Sequence, residues 1–270
     1  MPHETRLASA IAHTQPWHIL LAIGGFLAVG WGLFFFVDVL NLGGSRDWLA
    51  GTGLGRPMTW AQLFRECGPA EWLQWLCLGI GAVAMGAAGT RWLYLRPKLA
   101  AFWFVLGAGL VLLLIEDAGN PRHQIRRYVL NFTGSDMLQK AAEFAFFCFL
   151  AVAPLYATVR FGNQIWPFRR TRRYILLGYF AYAVASLSSA TRHWGDWHAH
   201  VGEWLYVALN LPFAVEMGGT SRGFWLMDKI VEESIELTAA AMLLAAIVAF
   251  HHESRIYLAD RDEFTATPPA

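Results

Sequence analysis

Long apolar runs recur along the chain, and the segments between them carry most of its charged residues. The hydrocarbon core of a bilayer is about 30 Å thick, so a helix needs roughly 20 apolar residues to cross it. Six runs approach this length, and we expect membrane spans at about residues 17–38, 72–90, 99–118, 142–160, 174–191 and 229–250. The pattern predicts an all-α, polytopic membrane helix bundle of about six transmembrane helices, forming a single integral membrane domain over residues 1–270.

A further apolar stretch lies at residues 201–215, but it is short and contains Pro212. A proline inside a helix removes a backbone hydrogen bond and clashes with the preceding turn. We therefore expect an extra interfacial or re-entrant helix here rather than a seventh span.

The composition agrees with a membrane protein and excludes several other classes. Hydrophobic residues make up 56% of the chain and charged residues only 15%, against roughly 25% charged residues in an ordinary soluble domain. The 21 basic residues nearly balance the 20 acidic ones, so net charge indicates no nucleic acid or other anionic partner. The three cysteines form no CxxC motif. The expected partner is therefore the lipid bilayer.

The basic residues predict the orientation of the bundle. Short cytoplasmic loops carry an excess of Lys and Arg, and the strongest basic cluster lies at residues 169–173. We expect this cluster in the cytoplasm and, because the spans alternate in direction, both chain termini there as well. The segments at roughly 38–71, 117–142 and 191–228 would then face outward.

Acidic residues complete several apolar runs that are too short on their own. The uncharged part of the last run, Leu237–Phe250, has 14 residues, or about 21 Å of helix, which is less than the ~30 Å core. Carboxylates near mid-membrane cost roughly 2.5–3.5 kcal/mol each, so they usually face the bundle interior and find partners. The candidate residues on the outer side are Glu116, Asp117, Glu143, Glu232, Glu233 and Glu236.

Basic side chains and histidines lie close to these acids in the sequence. Asn120 followed by Pro121 predicts the start of a short helix, whose Arg122 or Arg126 could pair with the acids at 116 and 117. Lys229 stands four residues before Glu233, a spacing that favours a pair on one helix face. The candidate histidines are His123 and, in the segment TRHWGDWHAH, His193, His198 and His200.

Three segments resemble an uncharacterised family of bacterial multi-pass membrane proteins. The segment IEDAGNPRH at 115–123 resembles the family's D-E-x4-H-E-like acidic-pair motif, and VEESIEL at 231–237 resembles the E-E-x-x-E start of its last span. The basic loop and span at 169–185 are similar as well. The resemblance implies the bacterial cytoplasmic (inner) membrane but no activity. The chain departs from the family at Arg122-His123, where the pattern has His-Glu, so any metal site of the family would be altered here.

Three functions are compatible with these residues. The first is an accessory or structural component of a membrane complex, which packs against other membrane subunits or pigments and uses buried ion pairs to fix its helices. The second is a membrane metalloenzyme, because carboxylates combined with imidazole suit a divalent transition metal. The third is a proton- or ion-coupled transporter, because intramembrane acids commonly line ion paths. The sequence alone assigns no catalytic residue.

Overall fold

The computed structural model describes residues 14–52, 59–192, 194–208 and 221–266, the stretch 260–266 as backbone. Within these ranges the regular structure is entirely helical. The α-helices are α1 Pro16–Leu33, α2 Ser45–Gly51, α3 Pro69–Trp92, α4 Pro97–Gly119, α5 Pro121–Thr133, α6 Asp136–Phe161, α7 Arg169–Thr191, α8 Trp197–Ala208, α9 Arg222–Trp225 and α10 Glu232–Ala266. Two π-helical segments, Phe34–Val39 and Leu226–Val231, extend α1 and join α9 to α10. Short 3-10 turns occupy Leu42–Gly44, Trp60–Phe64 and Gly162–Ile165.

Six helical segments are long and apolar enough to cross a membrane, which confirms the predicted polytopic all-α bundle. They are Pro16–Val39, Trp60–Trp92, Pro97–Gly119, Asp136–Ile165, Arg169–Thr191 and Arg222–Ala259. Of the stretch predicted at 201–215, the described residues 201–208 belong to α8, which has 12 residues. Residues 209–220 lie outside the described part of the chain, so the membrane entry of this stretch stays a prediction.

Prolines and one serine mark where the long helices begin. α1, α3, α4 and α5 each start with a proline in the first turn, where the missing N–H has no helical partner anyway. α6 instead starts after Ser135, whose hydroxyl accepts a hydrogen bond from the Leu138 N–H at 3.3 Å. The predicted cap Asn120 takes a different role. Its side chain caps nothing, and with a φ of 49° its own N–H closes the end of α4.

α10 is the central helix of the bundle and packs against α1, α3 and α7. Small side chains permit this close packing, as is common between helices in lipid. A Cβ built on Gly178 of α7 would stand 2.8 Å from Leu243 of α10. Near the other end of α10, the Phe250 ring lies 4.6 Å from Trp103 and 4.9 Å from Phe168. Glycine at the crossing and aromatic rings below it therefore hold α10 in place.

α10 continues beyond the predicted end at residue 250 and caps the start of α7. The Glu253 carboxylate accepts hydrogen bonds from the backbone N–H groups of Arg170 (2.8 Å) and Thr171 (3.1 Å) and from the Thr171 hydroxyl (2.8 Å). The first N–H groups of a helix have no partner within it. The Glu253 carboxylate of α10 thus accepts hydrogen bonds from the first N–H groups of α7. The part of α10 beyond its apolar stretch therefore caps α7.

We predict that Glu253→Ala lowers the free energy of unfolding by about 0.5–2 kcal/mol, the usual effect of removing a helix N-terminal acceptor. Glu253→Gln, which keeps one acceptor oxygen, should lose less. Thermal unfolding of the detergent-purified protein measures both. Asp47→Asn, at an exposed surface pair, serves as the control, and an unchanged melting temperature in Glu253→Ala would contradict the capping role.

Candidate functional site

Charged side chains enclose a small cavity of about 30 Å³ at the end of the bundle opposite Glu253. We call its lining residues the acidic cluster: Glu66, Glu71, Glu116, Asp117, Asn120, Arg122, Arg192, Asp228, Lys229, Glu232, Glu233 and Glu236. A water needs roughly 10–15 Å³ of such space. The cavity therefore has room for an ion or one or two waters, and not for an organic molecule.

The ends of several helices bring these residues together. The last turn of α4 contributes Glu116 and Asp117, and the first turns of α10 contribute Glu232, Glu233 and Glu236. The π-helical segment before α10 changes the spacing that an α-helix would give. Lys229 consequently does not pair with Glu233 as the sequence suggested. Its ammonium instead contacts Glu66 at 2.6 Å and Asp228 at 3.2 Å.

Arg122 of α5 connects four helices through one guanidinium. Its Nε lies 3.5 Å from Glu116 of α4 and 3.8 Å from Glu143 of α6, and its Nη1 donates to the Ser189 hydroxyl of α7 at 2.6 Å. Burial alone would lower the pKa of Arg122, but the surrounding carboxylates, Glu116 foremost, raise it above its ordinary value. Arg122 is therefore a permanent positive charge among acids.

Arg192, directly after α7, also contacts Glu143 and extends the series of ion pairs beyond Arg122. Its Nη2 lies 3.8 Å from Glu143 and its Nη1 lies 2.5 Å from Asp228. Together with the Arg122 and Lys229 contacts, this gives a continuous row of alternating charges. The row runs Glu116, Arg122, Glu143, Arg192, Asp228, Lys229, Glu66. Each basic side chain in it lies between two acids.

The remaining acids of the cluster have weaker partners. Glu71 accepts a hydrogen bond from the Cys67 N–H, and Glu236 accepts one from the Gln74 amide at 3.2 Å. No basic side chain within the described residues forms an ion pair with Asp117, Glu232 or Glu233. In total, eight carboxyl groups and three basic groups line the cavity, which leaves an excess of five acidic groups.

His198 of α8 reaches this charged region and is fully buried. Its Nε2 lies 2.7 Å from the Ser188 hydroxyl, and burial lowers its pKa, so the imidazole is neutral at pH 7. His198, Asp228 and Glu232 each offer one potential ligand atom, and these three atoms lie within 4.8 Å of one another. The Nδ1 of His198 and the Oε2 of Glu232 are buried and have no hydrogen-bond partner among the described residues.

An open cavity of about 540 Å³ adjoins the acidic cluster on the outside. We call it the vestibule, and it is lined by Glu66, Asn120, His123, Gln124, Arg127 and Tyr128. Glu66 and Asn120 line both cavities, so the vestibule and the acidic cluster share a wall. Burial and the nearby Arg122 lower the pKa of His123 to about 4, so His123 is neutral at pH 7.

Some of the candidate residues named from the sequence line the acidic cavity, and others lie outside it. Five acids (Glu116, Asp117, Glu232, Glu233 and Glu236) and two bases (Arg122 and Lys229) line the acidic cavity. Glu143 lies behind it between two arginines, and His123 lies in the vestibule. Arg126 does not line the acidic cavity but is close enough to His123 to influence its charge. His200 is exposed on α8, whereas His193 lies outside the described residues.

Sequence reasoning missed Glu66, Glu71, Arg192 and Asp228. Glu71 stands directly before an apolar run and Asp228 directly beside Lys229, so both lie at the edge of stretches that already held candidates. Arg192 belongs to the TRHWGDWHAH segment, where the histidines drew attention instead. The signal that could have found it is charge balance, because six candidate carboxylates in one region need more cations than Arg122 and Lys229.

We predict that Arg192→Met lowers the free energy of unfolding by about 3–5 kcal/mol, since it leaves buried carboxylates without their cation. The double variant Arg192→Met, Asp228→Asn should recover part of this loss, because it removes one of the stranded charges. Thermal unfolding in detergent measures the series. Lys140→Met, which breaks the more exposed pair of Lys140 with Asp136, should cost at most about 1 kcal/mol. Equal losses for the two single variants would contradict a stabilising role of the row.

Comparison with known proteins adds no relative: no protein-family model, no curated protein and no solved structure matches the chain. The resemblance of its acidic motifs to a bacterial membrane-protein family therefore stays a prediction, and the function is argued from the geometry of the site.

Proposed function

We propose that this integral membrane protein is a metalloprotein that holds a divalent transition metal in the acidic cluster. The observation that carries the proposal is the excess of five acidic groups around the 30 Å³ cavity. Buried carboxylates without partners are strongly unfavourable, so such groups bind a cation or take up protons. A divalent ion supplies two positive charges and fits the available space.

The best ligand set is His198, Asp228 and Glu232. Asp228 and Glu232 line the acidic cavity, and His198 stands beside it. Their ligand atoms already lie within 4.8 Å of one another, and one imidazole with two carboxylates suits zinc, manganese or iron. Ser188 holds the Nε2 of His198 at 2.7 Å, the kind of outer contact that fixes a ligating imidazole. The Nδ1 of His198 is left without a partner among the described residues, and it is the atom free to bind a metal.

The vestibule supports an enzymatic role for this metal. Catalytic metal sites keep one coordination position open for water, and a bound metal lowers the pKa of that water so that it becomes a nucleophile near pH 7. The vestibule shares Glu66 and Asn120 with the acidic cavity, and water would enter the cluster there. Glu233 and Asp117 line the cavity and have no basic partner in the described part of the chain, so in their ionised form they would serve as acceptors for the proton of such a water.

Metal content of the detergent-purified protein tests the proposal. We expect stoichiometric metal in the wild type. In Glu232→Gln and in His198→Gln the affinity should fall by more than about 100-fold, because losing an outer-shell contact alone costs about 10–100-fold. Cobalt substitution gives a second readout, since the visible spectrum of bound Co²⁺ reports its ligands. Asp47→Asn is the matched control. Substoichiometric metal in the wild type under every condition, or metal unaffected by both variants, would refute the proposal.

The row of alternating charges favours a second candidate, a structural or accessory component of a membrane complex. Arg122 and Arg192 tie α4, α5, α6 and α7 together through buried ion pairs, which fixes helix register without any ligand. This candidate predicts that gently solubilised protein contains no stoichiometric metal and retains other membrane subunits or pigments. A monodisperse, metal-loaded protein without partners would count against it.

The orientation is also a proposal. The basic residues at 169–173 lie at the end of the bundle that carries Glu253, so the positive-inside rule puts that end and both termini in the cytoplasm. The acidic cluster and the vestibule then open to the outside of the bacterial inner membrane.

Native cysteines allow this orientation to be tested. Cys67 is exposed at the cluster end of the bundle, Cys77 is buried, and Cys148 lies within the span Asp136–Ile165. We predict that a membrane-impermeant maleimide labels right-side-out membrane vesicles and that Cys67→Ser abolishes the labelling. Labelling of inside-out vesicles alone would contradict this orientation and indicate the opposite one.

A further inference from the structure

A lateral groove of about 390 Å³ lies between α6 and α7, with Leu113 of α4 at its back. Its walls are almost entirely apolar and include Phe147, Pro154 and Thr158 of α6 and Ile175 and Leu187 of α7. The groove lies within two of the membrane-spanning segments. Its surroundings are therefore lipid rather than water.

The groove exists because α6 packs mainly against α4 and α5, and only sparsely against α7. Gly109 of α4 permits this contact, since a Cβ there would stand 3.3 Å from the Cβ of Ala153 and 3.7 Å from Pro154. Pro154 also lacks the N–H that would continue the helical ladder. α6 thus packs against α4, and the face of α6 toward α7 is only partly covered by α7.

The size of the groove indicates what can fill it. From Phe144 to Thr158 it follows 15 residues of α6, or about 22 Å of helix. The volume falls in the range of small-molecule sites, about 300–1,000 Å³. α6 and α7 still contact each other, so the gap is too narrow for an inserted helix of roughly 10–12 Å diameter. A single extended hydrocarbon chain fits both the length and the width.

The groove also carries the hydroxyl groups of Thr158, Tyr179, Tyr182 and Ser186, but a charged side chain stands near one of its ends. Phe144 lines the groove and also a second open cavity of about 470 Å³ beside Lys140 and Trp194. Lys and Trp side chains commonly lie at the headgroup level of a membrane. An apolar groove that shares Phe144 with a cavity bordered by the cationic Lys140 and by Trp194 suits an amphiphile.

The same end of the groove lies against the acidic cluster. The guanidinium carbon of Arg122 stands 5.1 Å from the centre of the Phe147 ring, and Phe147 lines the groove. Phe147 therefore separates the groove from Arg122 by one side chain. Glu143, one residue before Phe144, contacts both Arg122 and Arg192.

We propose that the groove between α6 and α7 binds one acyl chain of a membrane phospholipid, with the polar head in the cavity beside Lys140 and Trp194. The head of this lipid would then lie next to the acidic cluster. Chain binding in the groove does not depend on a metal.

The test uses matched substitutions on neighbouring residues. Ala151 lines the groove, whereas Val152 is 58% exposed on the lipid-facing side of α6 and does not line it. We expect the detergent-purified wild-type protein to retain a phospholipid in native mass spectrometry and, after delipidation, to rebind it. Ala151→Phe should weaken rebinding of added phospholipid by about tenfold or more, and Val152→Phe should not. Loss in both variants, or in neither, would overturn the proposal.

A second pair of variants guards against misfolding. Ala183 lines the groove from α7, and Val184 beside it does not, so Ala183→Phe and Val184→Phe repeat the comparison if Ala151→Phe does not fold. Measuring lipid retention in the metal-deficient Glu232→Gln separates the two proposals. Retained lipid without metal supports the groove alone. Metal binding together with indiscriminate lipid binding leaves the metal site standing and refutes the groove.

Discussion

The burial of many carboxylates at one end of a membrane bundle is the constraint on which the rest of the structure depends. Charges in such a place are tolerated only when each finds a partner. The row from Glu116 to Glu66 meets this demand by alternating acids with Arg122, Arg192 and Lys229. Because successive members come from different helices, pairing the charges also fixes where those helices stand. α5 lies outside the six spans, yet it is held over the end of the bundle because it carries Arg122.

The pairing divides the acids into two groups with different consequences. Glu116, Glu143 and Asp228 contact arginines directly, and these contacts hold the helices together; Asp228 is in addition a member of the proposed ligand set. Asp117, Glu232 and Glu233 have no such partner in the described ranges, although Glu232 is buried as deeply as Asp228. A structure stabilised only by ion pairs has no use for this second group. The unpaired acids, together with the unpartnered Nδ1 of His198, therefore favour a bound cation over a purely structural cluster.

The sequence was sufficient for the fold and for part of the site. Six apolar runs predict the six spans. The 14-residue run Leu237–Phe250 is too short to cross a membrane on its own, and the acids before it line the acidic cavity. The partners were harder to predict, because they depend on how helices meet. The contact of Lys229 with Glu66 requires the π-helical turn at Leu226–Val231, which no periodicity in the sequence announces. α10 extends past residue 250 to the point where Glu253 contacts the start of α7. This is a tertiary contact, because Glu253 lies 83 positions from Arg170 and 82 positions from Thr171 in the sequence.

Arg122 connects the two sites inferred here. Its guanidinium carbon stands 5.1 Å from the centre of the Phe147 ring in the groove wall, while its nitrogen atoms contact Glu116, Glu143 and Ser189. A lipid chain bound in the groove would pack against Phe147, the side chain that lies between the groove and this guanidinium. A displacement of Phe147 would therefore bear on the cation that neutralises Glu116 and Glu143. The proposed lipid site and the proposed metal site thus border on one shared residue, although the acidic cavity itself is too small to admit a lipid.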